Sequence, residues 1–170
     1  MSANTEPYPA SDRDLLTRFV LAGVLTGVID GLFSSLLNIF AYGSTASRLF
    51  QGVASVLLGS EALNGGTKTV VIGVLMHFGV AFGWSAVFLF LVLRVSRVRR
   101  ILTTPYGLVK IASLYGPLIW MVMSLAVIPL LLRRAPTISI RWWVQLIGHI
   151  PFVGIPIVAS SSRWTPRARS

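Results

Sequence analysis

The 170-residue chain holds five acids, two histidines and no cysteine, so any acid–base or ligating chemistry must come from a short inventory. Three of these residues, Asp30, His77 and His149, each sit within a long apolar run. A carboxyl or imidazole in such surroundings has to face a partner or water, because an unpaired polar group is costly in hydrocarbon. One acid and two imidazoles can form a proton relay or a polar ligand pocket, since both group types move their titration toward neutrality when buried. His77 and His149 could also serve as axial ligands to a b-type haem from two helices. A metal site is not expected, because the histidines lack HExxH-type spacing. The absence of cysteine excludes disulfides, thiolate metal sites, iron–sulfur clusters and a cysteine nucleophile.

Spacing gathers these residues onto faces. In the first run Gly23, Gly27 and Gly31 are four apart, and Asp30, Ser34 and Asn38 repeat the interval on the adjoining stripe. Helical geometry puts both sets on one small, polar side, which should point into a bundle and allow close helix approach. The next run offers Gly73, His77, Ala81 and Trp84 on one face, with Gly79 and Gly83 as further packing candidates, and the last offers Gln145 beside His149. At 1.5 Å of rise per residue, His77 is about 12 Å in from Thr69 and His149 about 10 Å in from Trp142. Asp30 is about 16 Å up from Phe19, or about 14 Å below the outer face of an apolar layer about 30 Å thick. All three can therefore meet in one layer. The structural alternative is that they only bond across helices, at about 0.6 kcal/mol each. Trp84 and Trp120, near the middles of their runs, similarly serve either packing or a pocket wall.

The elements that must hold these residues follow from composition. Hydrophobic residues make up 54% of the chain and charged residues 12%, about half the charge expected of a soluble domain, and the mean hydropathy is +0.76. One small core cannot bury that much apolar surface, so most of it faces lipid. The expected fold is all-α and polytopic, with spans at about 19–42, 69–93, 106–132 and 142–159. Pro117 and Pro129 should bend the third span, and Pro151 and Pro156 lie in the fourth. Residues 44–58 are too few to cross. Ser44 is placed as their N-cap and Gly59 as their stop, and polar Arg48, Gln51 and Ser55 oppose an apolar side, which predicts an amphipathic interfacial or re-entrant helix. Arg48, Gln51 and Glu61 would bind a lipid head group there or anchor the segment to helix ends. Residues 1–17 read as a disordered tail, without the basic start of a secretory signal, and 160–170 as a basic tail.

Charge sets the expected orientation. All five acids fall in residues 1–61 with three arginines, and residues 62–170 carry twelve bases and no acid. The bases sit at the ends of apolar runs and not along one face interleaved with aromatics, which argues against nucleic acid. Ten bases fall with the two tails, the 94–100 linker and Lys110, against five on the other side, so both termini are expected in the cytoplasm. Tyr42, Trp142 and Trp143 would then mark the outer interface and Tyr106 the inner one.

The motifs of nucleotide and hydrolase chemistry, GxxxxGKS, GxGxxG and GxSxG, are missing in the contexts that would give them meaning. The order Asp30, then Arg48–Ser55 (RLFQGVAS), Gly65-Gly66, Leu75–Phe78 (LMHF) and Gly148-His149 resembles a group of small four-span bacterial membrane proteins, over roughly residues 19–158. That resemblance implies a bacterial inner-membrane location and carries no reaction with it. The expectation is a non-enzymatic structural, assembly or accessory protein without a resident cofactor, associating with other membrane subunits or with itself through its glycine faces. A small proton-linked transporter or channel using Asp30 and His77, and a haem protein using His77 and His149, stand as alternatives.

Overall fold

A computed structural model describes residues 12–162. Among them every regular element is a helix. Four are long and apolar enough to cross a membrane: Asp12–Ala41, Gly66–Arg94, Gly107–Leu132 and Ile140–Ser162, here the first to fourth spans. The protein is a multi-pass helical membrane protein. Large side chains such as Leu32, Phe40, Leu75, Phe90, Leu114 and Ile147 stay exposed on the outside of the bundle, which fits a lipid solvent rather than water.

The boundaries differ from the sequence expectation in instructive ways. The first span begins at Asp12, so residues 12–17 are helical and not part of a disordered tail. Acidic Asp12 and Asp14 stand in its first turn, where the helix dipole favours negative charge. Residues 1–11 and 163–170, including most of the two expected tails, lie outside the described residues. The amphipathic helix is Ala46–Leu58, and its cap is Thr45 rather than Ser44: Thr45 is extended and its side-chain oxygen accepts from the Arg48 N–H. Gly59 ends the helix at φ +79°, a left-handed backbone that a side chain would strain. The basic linker after the second span forms a short helix, Ser96–Leu102, that runs past Arg100. Arg99 folds back there to donate from Nη1 to the Val92 and Leu93 carbonyls, both at 2.9 Å, filling acceptors that the end of the second span would leave open.

A wide π turn ends the first span at Leu37–Ala41, and others interrupt the third and fourth at Met123–Val127 and Ile150–Gly154. The last begins just after His149 and contains Pro151, whose missing N–H removes one helical hydrogen bond. Helices three and four approach at backbone distance: a Cβ on Gly116 would strike the His149 carbonyl, and one on Gly154 the Ala112 carbonyl.

The interior divides into two halves. Toward the Ser96–Leu102 linker, Phe88, Val92, Ile111, Tyr115, Val153 and Ile157 form a closed apolar core between the second, third and fourth spans. Tyr115 satisfies its buried hydroxyl on the Trp84 carbonyl at 2.7 Å. Toward the other end the helices enclose open space, and Asp30, His77, Gln145 and His149 are found there.

Candidate functional site

A cavity of about 750 Å³ is walled by all four spans and by the amphipathic helix. Its size is ordinary for a small-molecule site. The first span contributes Thr26, Asp30 and Ser34, one turn apart along a single stripe; the second contributes His77 and Trp84; the third, Trp120; the fourth, Gln145 and His149. Apart from Arg48, the rest of the wall is apolar, with Phe50, Val53 and Val56 supplied by Ala46–Leu58.

Asp30, Ser34, His77 and His149, grouped by depth and spacing in the sequence, thus line one space. Their contacts are particular. His77 Nε2 lies 3.0 Å from the Gly27 carbonyl, and because a carbonyl only accepts, that nitrogen carries the proton. The same Nε2 is 4.0 Å from Asp30 Oδ2, beyond hydrogen-bonding distance. His149 Nδ1 donates to the Gln145 carbonyl of its own helix at 2.7 Å, and the imidazole lies 4.9 Å from the Trp120 ring. The Ser34 hydroxyl adjoins the Asp30 carboxyl and accepts from Gln145 Nε2 at 3.4 Å. Three enclosed oxygens, Thr26 Oγ1, Asp30 Oδ1 and Gln145 Oε1, have no hydrogen-bond partner, and all three residues line the cavity.

A haem between the two histidines would need one free ring nitrogen from each. His149 meets that requirement, with Nδ1 bonded to backbone and Nε2 left over. His77 spends Nε2 on Gly27 and keeps only Nδ1, the nitrogen beside its Cβ. Among the described residues no three acidic or histidine side chains converge closely enough to hold a metal ion.

Asn38 stands apart from this group. Its amide donates to the Ser34 carbonyl one turn back at 2.9 Å, and it lines a second, smaller space with Tyr42, Ser139 and Arg141. The aromatic residues expected at the outer interface divide. Trp143 is exposed, but Trp142 is buried: its Nε1 donates to Ser124 Oγ at 2.8 Å, Ser124 donates to the Trp120 carbonyl, and Trp120 Nε1 donates to the Trp142 carbonyl. This closed circuit ties the third span to the fourth and fixes the Trp120 wall of the cavity. Tyr42 lies under the Arg141 guanidinium, 3.9 Å from ring centroid to Cζ. Tyr106 is exposed.

Arg48 and Gln51 anchor chain. Arg48 Nη1 donates to the Leu63 carbonyl at 2.8 Å, and Gln51 Nε2 lies 3.4 Å from the Gly66 carbonyl, so they fasten the turn that returns the chain to the second span. Glu61, in that turn, is exposed. The glycines also separate. Cβ atoms on Gly23 and Gly27 would strike the Phe82 and Phe78 rings, and one on Gly31 would stand 3.3 Å from His77 Nε2. That face is therefore used inside the chain, against the second span. Gly79 and Gly83 have nothing within 4 Å of an added Cβ, so they do not mediate packing within the chain, and Gly79 borders the cavity. Gly73, read on the His77 face, is a close approach to the Phe50 carbonyl, and further ones that spacing did not single out are at Gly107, Gly116, Gly148 and Gly154.

Two cavity residues were missed as site residues. Thr26 extends the Asp30–Ser34 stripe by one turn backward, and that i, i+4 interval is the signal that could have found it. Gln145 was read only as a neighbour of His149. No family model, curated protein or solved structure matches the chain, so its assignment rests on the geometry of this site.

Proposed function

We propose that the chain is a non-enzymatic, membrane-embedded binding protein of the carrier class, which holds a small lipophilic molecule in the central cavity with Asp30 as its polar anchor. The observation that carries this reading is the cavity itself: all four spans and the amphipathic helix converge on it, and unpartnered polar oxygens belong to three of its lining residues. Apolar walls with a few polar groups are the common make-up of ligand sites, and ionisable residues inside a membrane bundle commonly mark substrate or proton paths. His77, 4.0 Å from the Asp30 carboxylate, suits it to proton-linked binding. We further propose a bacterial inner-membrane location, as the resemblance implies, with both termini cytoplasmic, an orientation supported by the distribution of bases.

The test uses the fluorescence of Trp84 and Trp120. Protein in zwitterionic nanodiscs is titrated with nonanol, after subtraction of the empty-disc signal. A saturable change is expected, and Gly79→Phe, which puts a ring into the open space at the cavity border, should abolish it. A purely linear response equal in both proteins would sink the reading.

A second reading, an accessory subunit, is favoured by Gly83. Its added Cβ would meet nothing within 4 Å and it is not part of the cavity wall, which leaves a small residue on the second span open to another helix. Gly83→Leu should then change the cross-linked oligomer pattern. An unchanged pattern removes that reading.

A further inference from the structure

The chemistry of the cavity wall narrows what it would hold. Around Asp30, the imidazole and amide donors of the second and fourth spans are engaged with other groups. His77 of the second span gives its Nε2 proton to Gly27. His149 of the fourth gives its Nδ1 proton to Gln145. Gln145 directs its amide to Ser34. Among the described residues, Arg48 is the permanent cation bordering the cavity, and its guanidinium is tied to the Leu63 carbonyl in the turn beyond the amphipathic helix.

What remains is mainly a set of acceptors, with the unpartnered Thr26 hydroxyl able to donate or accept one turn before Asp30. Asp30 Oδ1 and Gln145 Oε1 have no partner, and each imidazole keeps one nitrogen that no hydrogen bond occupies. A carboxylate in a low-dielectric site without a fixed cation is unfavourable, and a bound cation with N–H groups answers both needs, charge and donors, in one ligand. The walls suit such a group: Trp84, Trp120 and Phe50 present aromatic rings to the same space, and indole faces attract ammonium ions. The aliphatic remainder, including Val53, Val56 and Met123, suits a hydrocarbon body. Beside Asp30 an anionic molecule would meet a row of acceptors, and its cationic neighbour would be Arg48, which is held by the Leu63 carbonyl.

We infer that the cavity binds lipophilic amines in their ammonium form, with the N–H groups shared between Asp30 and Gln145 and the hydrocarbon part lodged against the amphipathic helix and the third span. This rests on the cavity being a ligand site, as proposed above.

The experiment compares nonylammonium, nonanol and nonanoate, identical in chain length, on the protein in zwitterionic nanodiscs at pH 7, read by tryptophan fluorescence with empty discs subtracted. The ammonium is expected to bind about tenfold or more tighter than the alcohol, and the carboxylate more weakly than either. In Asp30→Asn the ammonium preference should collapse to within about twofold while nonanol affinity stays unchanged. Should Asn at position 30 prevent folding, Gln145→Met asks the same question, and a severalfold loss of ammonium affinity with nonanol retained is expected. Saturable nonanol binding without ammonium preference, or a preference that survives both substitutions, would overturn the amine assignment while leaving the binding function standing. No saturable binding by any of the three would overturn both.

Discussion

Replacing Asp30 by leucine asks whether this residue holds the bundle together or is tolerated by it. If Asp30 were a structural tie, its loss would remove a hydrogen bond and leave a buried partner unsatisfied, at about 1–3 kcal/mol. The contacts point the other way. The nearest imidazole nitrogen is 4.0 Å away and has given its proton to the Gly27 carbonyl. The Ser34 hydroxyl beside the carboxyl can turn back to the carbonyl of residue 30, as serines in helices do. Asp30 Oδ1 has no partner at all, a burden of about 1–3 kcal/mol in the native state. The leucine side chain is larger, but residue 30 borders open space, so it need not overpack the bundle. Asp30→Leu should therefore leave stability unchanged or raise it by up to about 2 kcal/mol, which for a chain of this size is a rise of roughly 4–8 °C in Tm. The assay is thermal unfolding in nanodiscs followed by tryptophan fluorescence, with Asp30→Asn run alongside. A loss of more than about 1 kcal/mol in Asp30→Leu would refute the reasoning and make the carboxyl a structural tie.

Other perturbations should separate as the contacts do. Gly27→Leu drives a side chain into the Phe78 ring and should lower stability by about 1–3 kcal/mol, whereas Gly83→Leu, with open space around it, should stay within about 0.5 kcal/mol in the monomer; equal effects in an unfolding assay would contradict the assignment of faces. Trp142→Phe breaks one bond in the circuit between the third and fourth spans and Ser124→Ala two, so they should cost about 1 and about 1–2 kcal/mol, and the double change less than their sum because they share a bond; strict additivity would mean that the shared bond contributes nothing. Reporter fusions after Arg100 and at the C-terminus should report cytoplasm, and fusions near Glu61 and Ala135 the outside; the reverse pattern would invert the orientation.

The spans, the amphipathic helix and the group Asp30, Ser34, His77 and His149 were legible because each rests on a strong periodic signal: long apolar runs, an i, i+4 polar stripe, and depth counted from the run ends. What could not be read depends on how helices meet. Whether Trp142 lies in an aromatic belt or in the interior depends on Ser124 lying within reach across the third span, and no local pattern encodes that. The spacing of Gly79 and Gly83 is as regular as that of Gly23 and Gly27, yet only the latter pair faces aromatic rings of a neighbouring helix. Spacing identifies a small face, and tertiary register decides whether anything covers it. The π turn after His149 joins a proline to a close helix contact, and its effect on the histidine's direction is likewise tertiary. The start of the first span at Asp12 was hidden because polarity outweighed the favourable placement of acids in a first helical turn.

The central claim is that the cavity at Asp30 is a binding site. It is tested most directly by native mass spectrometry of the protein released from the membranes in which it is made, without added ligand. The account predicts a non-protein small-molecule mass bound to the wild type and absent from Gly79→Phe, in which the cavity border is filled. A bare wild-type chain, or an adduct equally retained by Gly79→Phe, would contradict it.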